Sequence, residues 1–141
     1  TGCASLKMNS QLSAHSELLK RIANSNISGE QKLDELAGSM VTLMREGLAF
    51  ANPKKGVKYV QSYSDQNEKS INKIFKDIGK WQASMSPADR ISFIGKIRKK
   101  PYANDFKDLA PKFQRKYKTA KFLLSMTRKL TKAMTGLGKI F

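Results

Sequence analysis

The sequence predicts an all-α fold, and three observations carry that expectation. Apolar residues recur at three- and four-residue spacing along most of the 141 residues. Helix-start signals stand in front of several of these runs, and no useful length alternates apolar with polar as a half-buried strand would. Only four prolines and nine glycines interrupt the chain. The length fits one domain, and an apolar fraction of 40% is enough for a core. The expected architecture is an elongated bundle of four main helices plus one short helix, with a single helical domain over 5–137 and a loose tail at 138–141.

The first helix is expected near 5–23, where Leu6, Leu12, Leu18, Leu19 and Ile22 fall loosely at helical spacing. Asn24-Ser25-Asn26 ends it, because short polar side chains compete for the backbone and favour turns. His15, the single histidine, has no second histidine or nearby cysteine to make a metal site. It is read as a spectator, neither ligand nor base.

Ser28-Gly29-Glu30-Gln31 has the form of a capping box and opens a helix near 29–51. Glu30 complements the positive helix end. Leu33, Leu36, Met40, Leu43, Met44 and Leu48 share one face, and Ala37, Gly38 and Gly47 allow a neighbour to approach closely. Asn52-Pro53 stops this helix, since the residue before proline is driven out of the α region.

Pro53 then opens a third helix, near 54–85, lined by Val57, Val60, Ile71, Ile74, Phe75, Ile78, Trp81 and Met85. Unbroken, it would be about 48 Å long. Its polar middle offers Asp65 and Glu68 as a second cap pair, so it either runs straight through an elongated body or bends near residue 64. Ser86-Pro87-Ala88-Asp89 is the strongest local signal, an N-cap followed by proline at the first helical position. It opens a short helix near 87–99. Residues 101–110 read as a connection with at most one helical turn.

A last helix is expected near 111–135, opened by Pro111. Phe113, Tyr117, Ala120, Leu124, Thr127, Leu130 and Met134 line one face of it. Phe113, Tyr117, Leu124, Leu130 and Trp81 are expected in the core. Opposite lie Lys112, Arg115, Lys116, Lys118, Lys121, Arg128, Lys129 and Lys132. With Arg98, Lys99 and Lys100 at the end of the preceding helix, they should form the most positive surface of the molecule.

Charge is the second informative feature. There are 27 Lys and Arg against 11 Asp and Glu, a formal net charge of +16, of which residues 71–141 carry +14. Such asymmetry points to an anionic partner: lipid or glycan, an acidic protein, or nucleic acid. The bland alternative is a solvated basic face, and for Lys96 to Lys100 the helix dipole alone favours cations.

The start of the chain supplies the third. Thr1-Gly2-Cys3-Ala4-Ser5 holds the single cysteine. It resembles the end of the lipobox of bacterial lipoproteins, in which a small residue and glycine precede the cysteine that becomes the lipidated N-terminus. That resemblance implies residues 1–4 as a tether, Cys3 as the lipid-bearing residue, and a place in the cell envelope, on the outer membrane facing the periplasm. More than one acyl chain would make the anchoring stable.

The chain lacks zinc-ligand spacing, a phosphate-binding Walker loop and a Gly-x-Ser-x-Gly elbow. No cofactor or metal is expected, and no reaction. The leading expectation is a non-enzymatic envelope lipoprotein whose basic body binds an envelope component or another anionic surface. Two alternatives stand beside it. One is a soluble nucleic-acid-binding helical domain, although no zinc-finger, RRM or zipper motif occurs. The other is an inhibitor or immunity protein for an acidic toxin.

Overall fold

A computed structural model describes residues 2–118 and 121–135; for 2–12, 53, 122, 123 and 131–135 it describes the backbone alone. The fold is all-α, with six helices and no strand among the described residues. They are α1 (Gly2–Asn24), α2 (Gly29–Ala49), α3 (Pro53–Ala83), α4 (Pro87–Arg98), α5 (Pro101–Lys116) and α6 (Lys121–Thr135).

The helix starts follow local chemistry. Ser28 Oγ accepts from the Gln31 amide and Ser86 Oγ from the Asp89 amide, each at 3.1 Å, which satisfies donors that have no partner inside the helix. Asn52 Oδ1 caps α3 in the same way, accepting from Lys55 N at 3.2 Å. α1 begins at Gly2, so Cys3 lies in its first turn rather than in a separate tether. α3 continues through Asp65 without a break and spans about 46 Å. Asp65 does not cap a new helix; it accepts from Gln61 Nε2 one turn earlier.

The C-terminal third departs from expectation. The helix anticipated near 111–135 is two helices, and 101–110 is not a connection but the first part of α5. Pro101, not Pro111, is the opening proline; Pro111 lies inside α5 on its exposed side. There its missing N–H leaves only a solvent-side carbonyl without its usual bond. Ala103, Phe106, Ala110 and Phe113 are all buried, and they give α5 its apolar stripe.

α5 ends at Tyr117 because tertiary bonds pull the chain onto the end of α2. The Tyr117 hydroxyl donates to Gly47 O. The Lys116 ammonium donates to the carbonyls of Gly47, Leu48 and Phe50 at 2.9, 3.0 and 2.7 Å. Gly47 and Leu48 lie in the last turn of α2 and Phe50 is its C-cap, where carbonyls run out of helical donors. Gly47 permits the approach: a Cβ there would lie 3.1 Å from the Phe113 ring and 3.2 Å from the Tyr117 ring. Gly38, by contrast, has open space beside it and admits no close neighbour.

α1, α2 and α3 pack mutually, α5 lies against α2 and α6, and α6 leans on α4 and α3. The core between them is continuous. It runs from Leu19 and Ile22 through Leu33, Leu36, Met40 and Met44 to Ile71, Ile74 and Ile78, and on to Phe106, Phe113, Tyr117 and Leu130. Leu124 is buried with them. Trp81 is only half-buried: it meets Phe93 edge-on, with ring centres 4.9 Å apart, and seals the elbow between α3 and α4.

Candidate functional site

Folding sorts the expected basic surface into cations that have structural work and cations that do not. Lys116 closes the end of α2, and burial holds its ammonium below the ordinary lysine value. Its ammonium is committed to the carbonyls of Gly47, Leu48 and Phe50. Lys100 pairs with Asp34, which also accepts from the Tyr102 hydroxyl. That pair ties the start of α5 to α2. Lys112 pairs with Asp108 one turn away at 3.1 Å, and Lys129 stands 5.6 Å above the Phe75 ring of α3. Arg98 and Lys99 are exposed at the end of α4, where the helix dipole welcomes them. The side chains of Cys3 and Lys132 lie outside the described residues, as do Ala120 and the 138–141 tail.

Arg115, Lys118, Lys121 and Arg128 remain, all exposed, around the turn from α5 to α6. Three of them converge. Arg115, Lys118 and Arg128 line an open cleft of about 520 Å³ together with Pro111, Gln114 and Leu124. The sequence periodicity treated 111–135 as one helix with a straight basic stripe. The turn at Tyr117 folds that stripe, so that Arg128 of α6 shares a cleft with Arg115 of α5.

Among the described residues, no carboxylate of α5 or α6 is left to neutralise this face. No acidic side chain occurs anywhere after Asp108. The two carboxylates of α5 are engaged, Asp105 with Arg45 and Asp108 with Lys112. The first turn of α6 also lacks an acid, so Lys121 stands at a positive helix end. Cations crowded there raise the energy of the free protein and lower it again when an anion arrives. The acid-free run after Asp108 was the signal in the sequence that could have focused the site.

A second polar cluster was missed outright. His15, read as a spectator, is buried where α1 meets α2, with Nδ1 3.2 Å from Ser39 Oγ and Nε2 3.0 Å from Glu46 Oε2. Serine, imidazole and carboxylate in a row have the connectivity of a proton relay. Ser39 sits in the interior of α2, where its own amide belongs to the helix ladder. What the trio does in this fold is pin α1 to α2. Neither i→i+4 spacing nor composition could reveal it, because His15 and Glu46 are 31 residues apart.

Among the described residues, no group of three or more His, Cys, Asp or Glu could hold a metal ion, and no helix is long and apolar enough to cross a membrane. Comparison with protein families, with curated proteins and with solved structures finds no match to this chain.

Proposed function

We propose that this protein is a non-enzymatic lipoprotein of the bacterial envelope, an elongated helical body tethered through Cys3 that docks on an anionic surface. In this reading the lipid on Cys3 holds the body at the outer membrane, facing the periplasm, and the α5–α6 face sets how it lies there. The observation that carries the reading is the convergence of Arg115, Lys118 and Arg128 on one cleft that no carboxylate of α5 or α6 neutralises. Lys121, and Arg98 and Lys99 at the end of α4, extend the positive field. Near an anionic leaflet each such cation contributes about 1 kcal/mol, so four or five acting together suffice without a deep pocket. The tether suits this arrangement, because α1 begins at Gly2 and packs on both α2 and α3. A lipid at Cys3 would thus be joined to the folded body by helix rather than by a slack linker.

The test is binding of the unlipidated chain to anionic vesicles, to neutral vesicles and to an arbitrary DNA duplex across a salt series. Binding to anionic vesicles that weakens with salt, with none to neutral ones, is expected. Tight, sequence-dependent DNA binding would favour a nucleic-acid-binding domain instead. Binding to no anion at low salt would leave a specific acidic protein partner, as an inhibitor of a toxin would have.

A further inference from the structure

The cleft between α5 and α6 is more specific than a charged surface requires. A body that merely lies on an anionic leaflet needs cations spread over one face, each acting within a Debye length of about 8 Å. Here Arg115, Lys118 and Arg128 line one cleft together with the apolar side chains of Leu124 and Pro111. Leu124, 6% exposed, and the exposed Pro111 are its apolar lining residues. The aliphatic stems of Arg115, Lys118 and Arg128 add to the apolar lining, as long basic side chains do when their charged ends reach for solvent. Gln114 is the remaining lining residue and brings a neutral amide.

This combination selects among anions. A phosphodiester carries one negative charge. A phosphomonoester carries between one and two at neutral pH and three strong acceptor oxygens, which better matches three converging cations. Guanidinium groups bind such oxygens in pairs, with geometry as well as charge. Apolar lining residues beside the charges suit a ligand whose phosphate is followed by hydrocarbon. Single-stranded nucleic acid would want aromatic faces for base stacking, and the nearby rings of Phe113 and Tyr117 are fully buried.

We propose that the α5–α6 cleft is a binding site for the phosphomonoester head of an anionic membrane lipid. Arg115, Lys118 and Arg128 hold the phosphate oxygens, and Leu124 and Pro111 meet the hydrocarbon next to it. This rests on the reading of that face as the membrane-docking one and adds a headgroup to it.

The experiment compares phosphatidylcholine vesicles containing phosphatidic acid with vesicles containing phosphatidylglycerol, adjusted to equal surface potential. The first lipid has a phosphomonoester and the second a phosphodiester. The wild-type chain should bind the phosphatidic acid vesicles about tenfold more tightly, the effect of added charge-assisted contacts. Arg115→Gln with Arg128→Gln should abolish that preference while retaining the helical circular dichroism spectrum. A variant that removes three exposed α3 charges, Lys69→Gln, Lys76→Gln and Lys80→Gln, should keep it. Equal binding of the two lipids by the wild type would overturn the headgroup site and leave the anionic-surface reading standing. Binding to neither would overturn both, and a preference that survives in the double-arginine variant would place the headgroup elsewhere.

Discussion

Lys116 and Asp77 illustrate how individual charges in a strongly basic chain are committed to the fold. Lys116 supplies three hydrogen bonds to carbonyls at the end of α2, those of Gly47, Leu48 and the C-cap Phe50. Replacing it with Met keeps most of the stem and removes the donors to Leu48 O and Phe50 O, while Gly47 O keeps the Tyr117 hydroxyl. The expected loss is about 1.5–3 kcal/mol in a urea denaturation curve. A curve unchanged from wild type would mean that the ammonium does not close α2. Asp77 accepts from Lys32 at 2.7 Å and from Lys73 at 3.3 Å, and Lys73 also donates to Ala23 O at the end of α1. The Lys32 hydrogen bond holds the Asp77 carboxyl below its ordinary value of 3.8; burial opposes this, and Lys73 reinforces it. Between that depressed value and 3.8 the unfolded chain binds more protons than the folded one, so stability rises with pH through the window. The contribution is complete above 3.8 and lost as pH falls through the depressed value. Asp77→Asn resembles the protonated acid in shape. The stability gap between wild type and this variant should therefore be widest at neutral pH and narrow as pH falls below 3.8. A gap that stays constant with pH would show that the pair is not linked to folding.

At the scale of elements, what could be read from the chain was what short-range chemistry decides. Ser28 and Ser86 stand where helices start, and each side chain does accept an amide; Asn52, read only as the stop of α2, also caps α3. The C-terminal boundary was illegible for a physical reason. Phe113, Tyr117, Leu124, Thr127 and Leu130 are buried on both sides of the turn, so the apolar period continues across a break that the period alone cannot register. The break is set by Gly47 and by the α2 carbonyls, some 70 residues earlier. Glycines show the same division. Gly38 and Gly29 are both in α2 and look alike in sequence. A Cβ at Gly38 meets nothing within 4 Å, whereas one at Gly29 would lie 2.3 Å from Trp81 Cβ and 2.5 Å from its Cγ. Those Trp81 atoms are close to its backbone and cannot swing aside. Gly38→Ala should therefore stabilise the protein by roughly 0.5–1 kcal/mol through reduced chain entropy. Gly29→Ala should destabilise it by about 1–3 kcal/mol through overpacking. Thermal or chemical denaturation of the two variants checks this. A Gly29→Ala variant as stable as wild type would contradict the seating of α3's last turn on the start of α2.

For the molecule as a whole, the sequence revealed that charge is lopsided but not where it gathers. Of the eleven cations expected on one surface, Lys116 is spent on a helix end, and Lys100 and Lys112 are paired with carboxylates. Lys129 is held over an aromatic ring. Which cations would be consumed depended on long-range neighbours such as Asp34 and Gly47, which no local pattern names. The turn at Tyr117 then gathers Arg115, Lys118 and Arg128 around one cleft. If this cleft face is the docking surface, position and not net charge decides binding. The direct measurement compares two variants with the same net charge on vesicles containing phosphatidylglycerol at low salt. One carries Arg115→Gln, Lys118→Gln and Arg128→Gln, the other Lys69→Gln, Lys76→Gln and Lys80→Gln. At about 1 kcal/mol for each cation facing the leaflet, the first should bind on the order of 100-fold more weakly than wild type. The second should lose no more than a few-fold. Equal losses in the two variants would contradict a defined docking face and leave only the nonspecific attraction of a basic protein for an anionic membrane.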